Sequence, residues 1–154
     1  MTHEEAFAAV DSAIWEMGEA FGGLPDADIW VRAHPRLLSV GELASHVGCA
    51  FGNYFLEEFE SPLRAESTRY YPHSVDDPLV LDMGSEAVYG EVKRLYELAK
   101  ARFLADRPDL SATSTVRDDW TWGYLVEYMA FHTAYHTGQM YSVRHMMGHE
   151  TPDN

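Results

Sequence analysis

Two histidines four residues apart, His132 and His136, are the residues of this sequence whose type and spacing best suggest chemistry. An α-helix advances about 100° per residue, so side chains four positions apart lie one above the other on the same face. Both histidines also fall on the predicted apolar face of that helix, where an unpaired polar ring is costly. Two neutral imidazoles that converge in such a setting suggest ligands of a metal ion.

A metal site needs three or four protein ligands, so this pair does not complete one. His46 is the best candidate for a third, because it lies inside a predicted helix on a face that it shares with Leu43 and Ala50. Three histidines from two helices would leave coordination positions open for a substrate, as in catalytic metal sites. The alternative is that the three rings are hydrogen-bonded in a wet core without a metal. The other histidines are predicted to lie at a terminus, in loops or on the far side of the fourth helix: His3, His34, His73, His145 and His149.

Three further side chains are candidates for the substrate pocket or for orienting the ligands. Gln139 follows His136 by three residues on the same face, where it would either orient a ligand or serve as an ordinary seam amide. Tyr128 and Tyr135 could donate a proton or stack on a substrate, although aromatic residues at helical spacing more often serve packing.

Four amphipathic segments predict an all-α fold, a four-helix bundle that forms a single domain over residues 1–154. In each segment, apolar residues recur in steps of three and four. The predicted helices span about 3–21, from Ser39 to about 61, 85–105 and 121–148. The fourth helix steps 4-3-4-3-4-3 through a heptad-like seam of Leu125, Met129, His132, His136, Gln139, Val143 and Met146.

Residues near the second helix have simple structural interpretations. Ser39 and Glu42 have the spacing of a capping box, as Thr2 and Glu5 do before the first helix. Glu42 is therefore interpreted as a cap rather than as a catalytic base. Cys49 is interpreted as a small buried thiol.

The connection over about 61–84 is long and rich in Pro, Tyr and Asp. A connection of that length between helices 2 and 3 predicts a crossover rather than a simple up-and-down bundle. Tyr70 and Tyr71 in this connection are candidates for a pocket wall. The two short strand candidates are 68–71 and 80–81.

Charge and composition favour a small-molecule substrate over a macromolecular polyanion. There are 11 Lys and Arg against 25 Asp and Glu, a formal net charge of −14, which disfavours nucleic acid and an anionic membrane surface as partners. No apolar run is long enough for a membrane span, and the acidic N-terminus lacks the pattern of a signal peptide. A cytoplasmic location is therefore expected.

Homodimerisation is compatible with a bundle of this kind, but no sequence feature fixes it.

The two histidine segments together resemble the DinB-like (DNA-damage-inducible, YfiT-related) superfamily of metal-binding four-helix bundles. The resemblance rests on Ser39-Val-Gly-Glu-Leu-Ala-Ser-His46 and on His132-Thr-Ala-Tyr-His136-Thr-Gly-Gln139, with the long connection between them. It implies that the family's three metal-binding histidines correspond to His46, His132 and His136. It also implies an S-transferase or isomerase that uses a bacterial low-molecular-weight thiol as cosubstrate, or a metal-dependent hydrolase.

Three functional hypotheses follow from the site and the resemblance. The first is a thiol S-transferase with one divalent metal ion, for which three imidazoles favour zinc or nickel, with iron as a further candidate. The second is a metal-dependent hydrolase with water as the nucleophile. The third is a non-catalytic, metal-binding stress protein.

Overall fold

The structure is a computed structural model that describes residues 1–64 and 77–151. Its helices are α1 (His3–Phe21), α2 (Val40–Phe55), α3 (Ser85–Asp106) and α4 (Trp122–Met146), with a 3-10 turn at Asp26–Asp28. The predicted all-α class is confirmed, and in the described ranges the only β-pairing is one isolated bridge. The strand candidate at 80–81 is irregular, and the one at 68–71 lies outside the described residues, as do Tyr70, Tyr71 and His73. None of the helices in the described ranges is long and apolar enough to cross a membrane.

The four helices run up, down, down and up around one hydrophobic core. The Phe7 ring near the start of α1 lies 5.2 Å from the Phe103 ring near the end of α3, so these helices are antiparallel. Arg144 at the end of α4 donates a hydrogen bond to the carbonyl of Ala20 at the end of α1, so this pair is parallel. The end of α2 meets the start of α4. The end of α2 and the start of α3 therefore lie at opposite ends of the bundle, as a crossover requires.

The first two helices begin at the predicted capping boxes. Ser39 accepts a hydrogen bond from the Glu42 backbone N–H, and the Glu42 carboxylate accepts one from the Ser39 N–H. Thr2 and Glu5 form the same reciprocal pair at α1. Both boxes satisfy backbone N–H groups that the first turn of a helix leaves without partners.

Helix α2 ends at Phe55, so the prediction that it continues to about residue 61 is wrong. Leu56 is extended, and the chain turns back so that the Phe59 ring becomes buried against the helix. Gly52 makes this return feasible, because a Cβ at that position would lie 2.5 Å from the Phe59 ring. The Phe59 ring thus fills the space that a side chain at position 52 would occupy.

The predicted heptad seam of α4 is buried at Leu125, Met129, His132 and Val143, but it is wrong at Gln139 and Met146. Gln139 is half-buried, and Met146 is 59 % exposed. The buried residues are Leu125, Val126, Met129, His132, Thr133, Thr137, Met140, Val143 and Arg144. A strict seven-residue repeat drifts by about 20° per heptad on a straight helix. Because α4 also packs between α1 and α2, its buried face is broader than one seam.

Glu42 binds two distant parts of the chain to α2 as well as capping it. Its carboxylate accepts hydrogen bonds from the Arg32 guanidinium at 2.6 and 2.8 Å and from the Leu79 N–H at 2.8 Å. Burial alone would raise the pKa of Glu42, but the hydrogen bonds from Arg32, Ser39 and Leu79 outweigh it and hold the pKa below its ordinary value. The carboxylate is therefore ionised and fully engaged in structure.

Candidate metal centre

The three histidines predicted from spacing meet between α2 and α4. The ring centroid of His46 lies 4.8 Å from those of His132 and His136, and the latter two are 4.5 Å apart. One ring nitrogen from each residue lies within 4.8 Å of the other two. The Nε2 atoms of His46 and His132 are 3.0 Å apart, so both can lie at the roughly 2.1 Å that a metal–imidazole bond requires.

The site lies at the outer edge of the α2–α4 interface rather than in the centre of the bundle, where the sequence placed it. His132 is only 7 % exposed, whereas His46 and His136 are half-buried. The centre of the buried face of α4 lies nearer Thr133 and Met140, which are both fully covered. The difference follows from the drift of the seam, and it leaves the rings of His46 and His136 partly accessible.

Gln139 lies against the ring of His136. Its Oε1 atom is 2.6 Å from His136 Nδ1, and an amide oxygen only accepts hydrogen bonds, so the imidazole hydrogen must be on Nδ1. Nε2 of His136 then carries a lone pair. The Gln139 amide N–H₂ is 3.5 Å from the hydroxyl of Tyr135. Gln139 thus selects the tautomer in which His136 can bind a metal through Nε2.

Burial keeps the three imidazoles neutral. It lowers the pKa of His46 to about 4 and, with repulsion from the neighbouring rings, lowers the pKa of His132 to about 3. Burial also lowers the pKa of His136, against the opposing effect of its hydrogen bond to Gln139. Protons therefore compete weakly for these nitrogens at neutral pH, which is the condition for metal binding.

The Nδ1 side of the His132 ring is held by stacking rather than by a hydrogen bond. Its buried Nδ1 atom has no hydrogen-bond partner among the described residues. The Tyr128 ring instead stacks on it, with centroids 5.3 Å apart and planes 28° from parallel. Tyr128 itself contacts two aromatic residues that the sequence analysis missed, Trp120 at 4.5 Å and Tyr54 at 6.3 Å.

The missed residues differ in how far the sequence could have revealed them. Tyr54 follows His46 by eight residues on the same helix, so its position two turns further along the same face was a usable signal. Trp120 precedes α4 in a loop, and no local pattern places it. Tyr135, which the sequence did single out, is 54 % exposed, and its ring centroid lies 5.1 Å from that of His136 in an edge-to-face arrangement.

The other described histidines lie away from this site. His3 is within hydrogen-bond distance of the Pro108 carbonyl, and His34 Nδ1 accepts from a backbone N–H. His145 lies 3.3 Å from the Thr151 hydroxyl, and His149 lies 2.7 Å from the Asp28 carboxylate. Cys49 is buried.

Comparison of the chain with protein-family models, with curated proteins and with solved structures found no match.

Proposed function

We propose that His46, His132 and His136 bind one divalent metal ion and that the chain is a metal-dependent enzyme. The observation that carries this proposal is the convergence of three neutral ring nitrogens within 4.8 Å, from two different helices. The tautomer that Gln139 selects at His136 fits the same purpose. Three imidazole ligands favour zinc or nickel, with iron as a further candidate.

The accessible side of the site favours a catalytic role over a purely structural one. Structural zinc sites are closed by four protein ligands, whereas catalytic sites have three and an open position. The described residues offer three histidines, two of them half-buried. A small-molecule substrate fits this opening, and the net charge of −14 disfavours a nucleic acid.

The reaction that we propose is S-transfer from a low-molecular-weight thiol, as in the DinB-like proteins that the histidine segments resemble. A divalent ion at this site would lower the pKa of a bound thiol and hold it as the thiolate. The sulfur then forms a bond to an electrophilic carbon while the leaving group departs with its electron pair, and the thiol proton passes to solvent. In S-transfer the sulfur of the thiol is the nucleophile, whereas hydrolysis requires a base that activates water. Glu42, the acidic residue of α2, is not available as that base, because its carboxylate accepts hydrogen bonds from Arg32 and two backbone N–H groups.

Elemental analysis of freshly purified protein tests the metal site. The wild type should contain close to one equivalent of metal, His46→Ala should contain little, and His34→Ala, which changes an exposed histidine, should match the wild type. Equal metal content in wild type and His46→Ala would disprove the assignment.

Activity assays then test the reaction. The metal-loaded protein is incubated with bacillithiol, mycothiol or glutathione and a model electrophile, and we expect conjugation with one thiol that chelation abolishes. Metal-dependent cleavage of esters or amides without a thiol, lost in His136→Ala, would establish a hydrolase instead. A bound metal without either activity would leave the third hypothesis, a non-catalytic metal protein.

A further inference from the structure

Four aromatic residues form a row along α4: Tyr124, Tyr128, Phe131 and Tyr135, which we call the aromatic stripe. Their 4-3-4 spacing places them on one face of the helix, next to the face of the histidines. Tyr124, Phe131 and Tyr135 are 49, 64 and 54 % exposed. A contiguous row of exposed apolar rings is unusual on a soluble domain and typically marks a binding surface.

The aromatic stripe is continuous with the candidate metal centre. The Tyr128 ring stacks on His132, and the Tyr135 ring meets His136 edge-on. Phe131 joins them, with its centroid 6.4 Å from that of Tyr128 and 5.9 Å from that of Tyr135. A small molecule whose reacting atom lies at the histidines would therefore extend along these rings.

We propose that the aromatic stripe holds an uncharged aryl group of the substrate, an inference that rests on the proposed metal-dependent function. Aromatic rings prefer offset-stacked or edge-to-face neighbours, and the Phe131 and Tyr135 rings lie within 27° of parallel with centroids 5.9 Å apart, so a planar ring can pack against both. The stripe contains no charged residue, and Glu127 beside it is exposed. An anionic group would meet this carboxylate and the overall negative charge, whereas a neutral ring would not.

A second copy of the chain is a weaker candidate for the same surface. An aromatic side chain offers about 150–250 Å², so three rings at about half exposure present roughly 300 Å². A stable protein–protein interface buries about 800 Å² on each partner. The aromatic stripe is of the size of a small-molecule contact.

Two metal-binding probes that differ only in their hydrocarbon group test the inference. Acetohydroxamate and benzohydroxamate share a metal-binding group, and only the latter carries an aryl ring. Their dissociation constants are measured by calorimetry on zinc-loaded wild type, on the double variant Phe131→Ala/Tyr135→Ala, and on Trp15→Ala. Trp15 is an exposed aromatic residue on α1 and serves as the matched control.

The preference is the dissociation constant of acetohydroxamate divided by that of benzohydroxamate. We expect this ratio to be about tenfold larger in the wild type and in Trp15→Ala than in the double variant, which corresponds to about 1.4 kcal/mol. Because the preference is a ratio of two dissociation constants measured on the same protein, an effect of Tyr135 on the metal site itself cancels from it. An equal preference in all three would overturn the aryl inference while leaving the metal site intact. Failure of the wild type to retain zinc, or to bind either hydroxamate, would overturn the proposed function and this inference with it. If the wild type is a dimer, the double variant is a monomer and both have the same preference for benzohydroxamate, the aromatic stripe is a self-association surface instead.

Discussion

The amide oxygen of Gln139 lies 2.6 Å from Nδ1 of His136, one turn earlier on the same helix. This contact leaves Nε2 of His136 as the nitrogen with a lone pair, because an imidazole carries a hydrogen on only one nitrogen when it is neutral. The side chain that controls the third ligand is thus a neutral amide at the edge of the site.

Removal of this acceptor should weaken metal binding. We expect Gln139→Leu to bind zinc about 10- to 100-fold more weakly, as is typical when the hydrogen-bond partner of a metal-binding histidine is lost. Gln139→Glu restores an acceptor and should retain most of the affinity. Competition with a chromogenic chelator measures both constants. Equal affinities for wild type and Gln139→Leu would show that the contact has no influence on the ligand.

The ion pair of Glu42 and Arg32 should dominate the acid sensitivity of the fold. The pKa of Glu42 is lower in the folded protein than its ordinary value of 4.5, so its contribution to stability is complete above about pH 4.5 and is lost as the pH falls through the folded-state pKa. Arg32→Leu leaves a buried carboxylate without its guanidinium and should cost about 3–5 kcal/mol at pH 7.

Urea unfolding at pH 7 and at pH 3.5 measures this effect. The difference in unfolding free energy between wild type and Arg32→Leu should narrow at the lower pH, because protonation of Glu42 removes the unpaired buried charge in the variant. Arg102→Leu, which breaks an exposed ion pair with Asp106, should resemble the wild type at both pH values. A difference in unfolding free energy between wild type and Arg32→Leu that is the same at both pH values would contradict the role of the Glu42 charge.

Gly41 should be intolerant of a side chain. A Cβ there would lie 2.5 Å from the Trp30 ring, and that ring is held in place by a 2.8 Å hydrogen bond from Nε1 to the Met83 carbonyl. We expect Gly41→Ala to destabilise the protein by about 1–3 kcal/mol. Gly90 on α3 has no atom within 4 Å of the corresponding position, so Gly90→Ala should stabilise by about 0.5–1 kcal/mol. Urea midpoints with opposite shifts would support this difference, and a stable Gly41→Ala would contradict it.

Metal removal should lower the melting temperature of the wild type. A ligand that binds only the folded state stabilises it by about 2.7 kcal/mol at 100 times its dissociation constant, or about 5–10 °C for a chain of this size. Calorimetric scans with zinc and with a chelator should differ by that amount in the wild type and should coincide in His136→Ala. Coincident scans for the wild type would contradict metal binding at the site.

The parts of the structure that depend on short-range pattern could be predicted from the sequence. The starts of α1 and α2 follow from capping residues three positions apart, and the convergence of His132 and His136 follows from helical spacing. His46 could be added because it shares a face with apolar residues. The DinB-like resemblance and the role of the metal remain predictions.

The parts that were missed depend on residues that meet only in the folded chain. The end of α2 depends on the Phe59 ring, which occupies the space above Gly52. The partners of Glu42 come from two connections, at Arg32 and Leu79, and no local pattern joins them. Gln139 and Met146 were wrongly assigned to the buried face of α4 because a repeat of seven was extended over a helix whose turns do not divide seven evenly.

The order of the helices along the chain determines when, during synthesis, all three histidines are present. His46 and His132 are separated by 86 positions, and the helix that carries the last two candidate ligands is also the last of the four to leave the ribosome. A nascent chain that has completed α3 holds one of the three histidines. Metal binding at the proposed site is therefore expected to follow synthesis of α4 rather than to guide the earlier helices, because a chain stalled before Trp122 lacks two of the three candidate ligands.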